Sequence, residues 1–166
     1  CGKSRTRFNA MHGIRDVNLD AGAAREEMLA LIRRVAYAEG DFVLASGKRS
    51  DYYIDGRRVT VHPRGAFLAG VLFLDAMEDF LAQPGRWGIT GLSLGADPII
   101  TATSLVAHLR GRDLYPVYCR KEPKTHGGGK QLEGYYDEVD RVVVVEDTAT
   151  TGASALKAVV AAREAG

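Results

Sequence analysis

The run Val142-Val143-Val144-Val145-Glu146-Asp147-Thr148-Ala149-Thr150-Thr151-Gly152-Ala153-Ser154 carries the densest chemistry in this chain. Its valines read as a strand that delivers two adjacent carboxylates to its C-terminal end. A turn of Thr, Thr and Gly then opens a helix. Free backbone N–H groups at a helix N-terminus, joined by Thr and Ser hydroxyls, form a phosphate cradle. Carboxylates placed against that phosphate would repel it, but they accept hydrogen bonds from sugar hydroxyls. One loop can therefore hold a ribose through Glu146 and Asp147 and a 5′-phosphate through residues 148–154. The same spacing also suits a plain strand end with solvated acids and Thr151 as a helix cap.

A second constellation spans residues 120–134, fifteen residues that read as a long polar loop. Arg120, Lys121, Lys124, His126 and Lys130 outnumber Glu122 and Glu133, and three consecutive glycines follow His126. Loops of more than about 12–15 residues without structure of their own are usually functional or disordered. Cations on a glycine-hinged segment suit a lid over a polyanion such as pyrophosphate. A solvated basic loop is the other reading. Gly127-Gly128-Gly129-Lys130 is no P-loop, because Gln131 stands where Ser or Thr is needed. Leu94-Gly95-Ala96-Asp97-Pro98 can receive an anion on its amides, or be an ordinary turn with Asp97 as N-cap and Pro98 at N1. Ser46-Gly47-Lys48-Arg49-Ser50-Asp51-Tyr52-Tyr53-Ile54 places aromatics beside a basic turn, which could hold an anionic ring or could be an amphipathic hairpin.

Alternating strands and helices must position these segments. Asp20 offers an N-cap for a helix whose stripe is Met28, Leu31, Ile32 and Val35, with Gly40 as its C-cap. Short strands are expected over 42–45 and 52–54. Pro63 starts a second helix with the stripe Phe67, Val71, Leu74, Met77 and Leu81, ended by Pro84-Gly85. Then follow a strand over 87–92, a helix over 99–110, a strand over 114–119, the basic loop, a strand over 141–145 buried on both faces, and a helix over 153–165. This order predicts an α/β fold with a parallel sheet and its ligand loops at one edge. Residues 1–19 read as a polar leader and 20–166 as one domain, with 20–60 as helix and hood strands and 61–166 as the α/β core.

Composition narrows the classes. The formal net charge is +1, from 22 Lys and Arg against 21 Asp and Glu, so nothing argues for binding nucleic acid or a membrane surface. Only Cys1 and Cys119 occur, and no C-x-x-C, which excludes a disulfide framework or zinc knuckle and favours a reducing cytoplasm. Asp97 and Pro98 split the longest weakly charged stretch below the roughly 20 residues of a spanning helix. His12, His62 and His108 lack metal-ligand spacing and read as surface or capping residues; no protein-held metal site is expected.

The four segments, in this order, resemble the orotate phosphoribosyltransferases, from about residue 25 onward. The strand, acid pair and Thr-Thr-Gly turn look like the phosphoribosyl pyrophosphate (PRPP) motif of type I phosphoribosyltransferases. Arg120-Lys121-Glu122-Pro123-Lys124-Thr125-His126-Gly127, Ser46 to Tyr53, and Gly91-Leu92-Ser93-Leu94-Gly95-Ala96-Asp97-Pro98 look like orotate-enzyme signatures. The resemblance implies a type I phosphoribosyltransferase fold, a mostly parallel sheet flanked by helices with a small N-terminal hood. It implies transfer of the 5-phosphoribosyl group from PRPP to orotate, giving orotidine 5′-monophosphate and pyrophosphate in pyrimidine biosynthesis. Mg²⁺ would be bound mainly through PRPP, and the enzyme would be a homodimer whose basic loop closes over the neighbouring subunit's site. Arg120, Lys121, Lys124 and His126 would contact pyrophosphate. Glu146 and Asp147 would hold the ribose hydroxyls. Thr148, Ala149, Thr150, Thr151, Gly152, Ala153 and Ser154 would wrap the 5′-phosphate, with Thr150 also near orotate, and Tyr53 and Ile54 would flank the orotate ring. Lys124 and Asp147 are the residues assigned to catalysis.

Some family members carry Lys where this chain has Ala45, and some have Lys in the loop before Pro98, here Gly95-Ala96-Asp97. The acid pair is Glu-Asp rather than Asp-Asp. The family also continues past the final helix to a strand with an Arg for the orotate carboxylate, which the core here is expected to lack. Two rival readings are a purine or uracil phosphoribosyltransferase and a PRPP-binding regulator without chemistry. The basic-loop motif opposes the first, and Lys124 and His126 oppose the second. Lys124→Ala is expected to lower turnover by orders of magnitude with a modest loss of PRPP affinity; steady-state kinetics with PRPP titration checks this, and near-normal turnover contradicts the assignment.

Overall fold

The computed structural model describes residues 15–44, 47–123 and 130–166. The expectations placed on the start of the leader, on Ser46, and on Lys124, His126 and the three glycines after it lie outside the described residues. A 3-10 turn at Arg15–Asn18 leads into α1, Ala21–Val35. The Asp20 carboxylate accepts from the Ala23 N–H at 3.0 Å, as an N-cap should, and Arg33 and Arg34 lie in the last turn, where the macrodipole favours cations. Ala24 and Leu31 are buried, with Met28, Ile32 and Val35 packed beside them.

The helix stops earlier than expected. It ends at Val35, and Gly40 caps nothing: it lies inside β1, Tyr37–Val43. β1 pairs antiparallel with β2, Arg49–Ile54, and the register shifts between Glu39 and Phe42, so Gly40 sits at a bulge. The first strand therefore begins at Tyr37 rather than Phe42. Short α2, Gly56–Thr60, had no periodic signal long enough to read. α3, Pro63–Ala76, starts with Pro63 in its first turn, and the His62 ring Nδ1 accepts from the N–H groups of Arg64 and Gly65. The expected stripe to Leu81 breaks at Met77, and α4, Glu78–Leu81, carries its tail.

β3, Trp87–Leu92, falls where expected. α5 is Asp97–Leu109, β4 Tyr115–Cys119, β5 Leu132–Gly134, β6 Arg141–Val144 and α6 Ala153–Glu164. A second 3-10 turn, Tyr136–Glu138, precedes β6. The larger sheet has the order β5-β4-β3-β6. β3 runs parallel to both β4 and β6, whereas β5 runs antiparallel to β4. The long loop is thus not structureless to its end, because its last three residues return as a strand. β6 was expected to be buried on both faces; it lies at an edge of the described sheet and its valines are only half-buried.

Helices cover both faces. α1, α3 and α5 pack over Ile89, Ile99, Ile100 and Leu68 on one side, and α6 sets Ala158 and Ala161 against Val117, Cys119 and Leu132 on the other. α3 and α5 cross at Gly70, where a Cβ would lie 2.7 Å from the Ala102 carbonyl oxygen. No helix among the described residues is long and apolar enough to cross a membrane.

α1 is tied to α3 by Arg64, whose Nε and Nη2 donate to the two carboxylate oxygens of Glu27 at 2.7 Å each. This bidentate contact holds the Glu27 carboxyl below its ordinary pKa of 4.5. Both side chains are partly exposed, so Glu27→Gln should cost no more than about 1 kcal/mol at neutral pH. The folded pKa is the lower one, so the contribution is full above about pH 4.5 and is lost as pH falls through the folded value. Urea midpoints of Glu27→Gln and the parent should differ at pH 7 and converge in acid; a gap that persists in acid contradicts this.

Candidate active site

Three strands end at one edge of the sheet. In register, Leu92 lies opposite Cys119 and Thr90 opposite Val144, so the segments after β3, β4 and β6 leave the sheet side by side. β6 continues to Val145, whose N–H donates to the Thr90 carbonyl at 2.8 Å. The acid pair follows, with Glu146 and Asp147 both half-buried. Thr148, Ala149, Thr150 and Thr151 are exposed and lead to Gly152 at φ 75°. That left-handed conformation suits glycine and lets the chain turn into α6. The Thr151 hydroxyl accepts from the Ala153 N–H only at 3.4 Å, so it is not the firm cap that one reading of the sequence allowed. Ala153 and Ser154 begin the helix.

The loop after β3 lies directly against Asp147. A Cβ on Gly95 would stand 2.6 Å from Asp147 Cγ and 2.7 Å from Oδ2, and nearer still to Oδ1. Asp97 is the first residue of α5 rather than its N-cap, a place taken by Ala96, and its carboxylate accepts from the Ser93 hydroxyl at 2.8 Å. The Ser93 N–H donates to the Cys119 carbonyl at 2.8 Å, and the Ser93–Leu94 peptide is cis.

The cations follow β4. Arg120 and Lys121 line a cleft of about 640 Å³ with Ser93, Leu94, Tyr118, Glu122 and Glu133. Arg120 Nε donates to Glu133 Oε1 at 2.9 Å, and its backbone N–H to the Gln131 carbonyl at 2.9 Å, so β5 holds it in place. The Tyr118 hydroxyl and Thr101 Oγ1 are 2.9 Å apart beneath the cleft. Cys119 is fully buried and burial pushes its thiol pKa up, which makes it an inert packing residue. Lys130 stands elsewhere, over the Tyr136 ring at 5.3 Å, where the Tyr136 hydroxyl raises its pKa.

Of the expected site residues, Asp147 lies against the loop at Gly95, and Arg120 and Lys121 line a cleft with Ser93 and Leu94 of that same loop. The structure does not place Tyr53 or Ile54 in that cleft. Both are about half exposed on the hairpin, where the rings of Tyr53 and Phe42 are 5.6 Å apart. Sequence reasoning missed Glu133 as the partner of Arg120 and Gly91 as the residue that lets β6 approach. The signal for Gly91 was a glycine inside a strand, which marks close backbone approach.

A mostly parallel sheet in this order, flanked by helices and with an acid pair closing one strand, is the type I phosphoribosyltransferase class of fold. No family model matches the sequence. The chain is 45% identical over 148 residues to the orotate phosphoribosyltransferase of Nostoc sp., covering 89% of this chain and 69% of that protein. It is 46% identical over 143 residues to that of Thermosynechococcus vestitus, covering 86% and 73%. Among solved structures it is similar to the orotate phosphoribosyltransferase of Mycobacterium tuberculosis in complex with PRPP, with TM-score 0.64, 35% identity and coverage of 86% and 76%. A phosphoribosyltransferase from Corynebacterium diphtheriae aligns with TM-score 0.68 and 39% identity, covering 87% and 77%. The chain belongs to the orotate phosphoribosyltransferase family.

The approach of β6 to β3 can be tested directly. A Cβ on Gly91 would lie 2.5 Å from Ala96 Cβ and closer still to the Val145 carbonyl oxygen. Gly91→Ala should therefore destabilise at the upper end of the roughly 1–3 kcal/mol range of overpacked sites. A urea midpoint unchanged from the parent contradicts this.

Proposed function

We propose that this protein transfers the 5-phosphoribosyl group from PRPP to orotate, releasing pyrophosphate and forming orotidine 5′-monophosphate for pyrimidine biosynthesis. The observation that carries the reading is the contact of the Gly95 loop with Asp147 beside the cleft of Arg120 and Lys121. It supports a site in which acids that bind hydroxyls and cations that bind phosphate flank the loop at residues 93–95. Residues 20–166 act as one phosphoribosyltransferase unit.

In this reading Glu146 and Asp147 hold the ribose hydroxyls. The exposed turn from Thr148 to Ser154 wraps the 5′-phosphate with its amides and hydroxyls, and Thr150 reaches toward orotate. Arg120 and Lys121, with Lys124 and His126, bind the pyrophosphate. The orotate ring nitrogen attacks the anomeric carbon and gives up its proton to solvent or to the departing pyrophosphate, so the protein need not supply a strong general base. The bond from that carbon to the pyrophosphate oxygen breaks, and the transition state gains oxocarbenium character, as in glycoside cleavage. The protein's main task is to stabilise charge on the leaving group, and cations aimed at the pyrophosphate do so electrostatically. Arg120 must exchange Glu133 for the incoming phosphate, which keeps its charge compensated until then.

Two adjacent carboxylates suit Mg²⁺, which is commonly bound through one or two carboxylates plus substrate phosphates. In this reading the metal would enter with PRPP and be held mainly through its phosphates. When bound it neutralises pyrophosphate charge. Tyr53 and Ile54 flank the orotate ring, which requires the hairpin and the strand edge to meet around substrate. We place the enzyme in the cytoplasm, as a homodimer whose basic loop serves the neighbouring subunit's site.

The deciding measurement is orotate absorbance on addition of PRPP and Mg²⁺. A decrease that needs both, and that uracil and the purine bases do not support, is expected. No decrease with orotate contradicts the reading.

A further inference from the structure

We propose that Gly95 is a positioning residue: by lacking a side chain it reserves the place of the Asp147 carboxylate, and so sets the affinity for PRPP. The inference rests on the ribose-binding role proposed above for Asp147.

Gly95 is not one of the glycines with positive φ, so its backbone does not require glycine. What requires it is space. The three atoms nearest to a Cβ at this position are all in one side chain, Asp147 Oδ1, Cγ and Oδ2. The loop cannot readily retreat from them. Its start is fixed by the Ser93 N–H on the Cys119 carbonyl and by the Ser93 hydroxyl on Asp97, each at 2.8 Å. Its end is fixed by Ala96, 2% exposed and packed under Gly91. The backbone before Asp147 is held as well, by the Val145 N–H on Thr90. With both backbones tied, the part left to yield is the Asp147 side chain.

This separates Gly95 from Gly91. A methyl at 91 meets a backbone carbonyl and is opposed by the fold. A methyl at 95 meets the end of a short, rotatable side chain. Rotation relieves the clash at small cost to folding, but it carries the carboxylate away from where the ribose must find it. The loss should appear in substrate binding and not in stability. It should also vanish when position 147 has no carboxylate to displace.

The test is a double-mutant cycle read by calorimetric titration of PRPP with Mg²⁺ and by thermal midpoint, using the parent, Gly95→Ala, Asp147→Ala and the double variant. Gly95→Ala is expected to weaken PRPP binding by about tenfold or more and to keep a midpoint close to the parent's. The double variant is expected to bind PRPP within about twofold of Asp147→Ala alone. Parent-like binding by Gly95→Ala overturns the proposal, as does a further loss in the double variant as large as in the single. Parent-like binding by Asp147→Ala overturns the ribose role itself and the positioning role with it, and that single variant distinguishes the two failures. If Gly95→Ala does not fold, the double variant decides: folding restored by Asp147→Ala supports the contact, and folding not restored overturns it.

Discussion

The site depends on how closely β6 can lie against β3 at the edge where both end. Gly91 makes that approach possible, because its missing Cβ leaves room for the Val145 carbonyl on one side and Ala96 on the other. The hydrogen bond from Val145 to Thr90 then extends the pairing to the last residue before the acids. A sheet that parted earlier would carry Glu146 and Asp147 away from the loop at residues 93–96. The helix layers serve this convergence: α5 springs from the same loop, and its crossing with α3 at Gly70 fixes the direction in which it leaves.

Strand order also sorts the charges. β3 lies between β4 and β6, so cations following β4 and acids following β6 are separated by two strand spacings, about 10 Å. That distance keeps them from neutralising each other across the sheet. Arg120 takes Glu133 as its counter-charge instead. The gap is comparable to a sugar bearing a pyrophosphate. In the proposed reading, hydroxyls at one end of the ligand would meet the acids and phosphates at the other end the cations.

Much of this arrangement is legible in the chain itself, because local signals and tertiary structure agree there. β3 is bounded by Pro84-Gly85 and by a glycine loop, and all its residues but the last are buried, so its limits read to the residue. Asp20 and Pro63 mark helix starts by chemistry that acts within one turn. The errors occur where the cause is distant. Gly40 looks like a helix cap until the pairing of Glu39 and Phe42 with β2 makes it a bulge. Leu132–Gly134 is too short to announce a strand and becomes one only against β4. The valines of β6 suggested burial on both faces; in the described sheet Val143 packs toward the α1, α3 and α5 side and Val144 toward α6, each half-buried.

The same distinction bears on how substrate choice is divided within the fold. The parts that would handle ribose and pyrophosphate sit on the rigid convergence of three strands, where Gly91 and Gly95 leave little freedom. Tyr53 and Ile54, the residues proposed to meet the base, stand on a hairpin held mainly by its own pairing and by aromatic contacts such as Tyr37 with Tyr52. Chemistry at the anomeric carbon needs precise placement and is served by packed backbone. Recognition of a flat base needs an apolar face of the right shape, which can be exchanged without disturbing the sheet. A fold built this way could keep one reaction while its hairpin changes the base, which is how the proposed roles of Tyr53 and Ile54 divide the labour from those at the sheet edge.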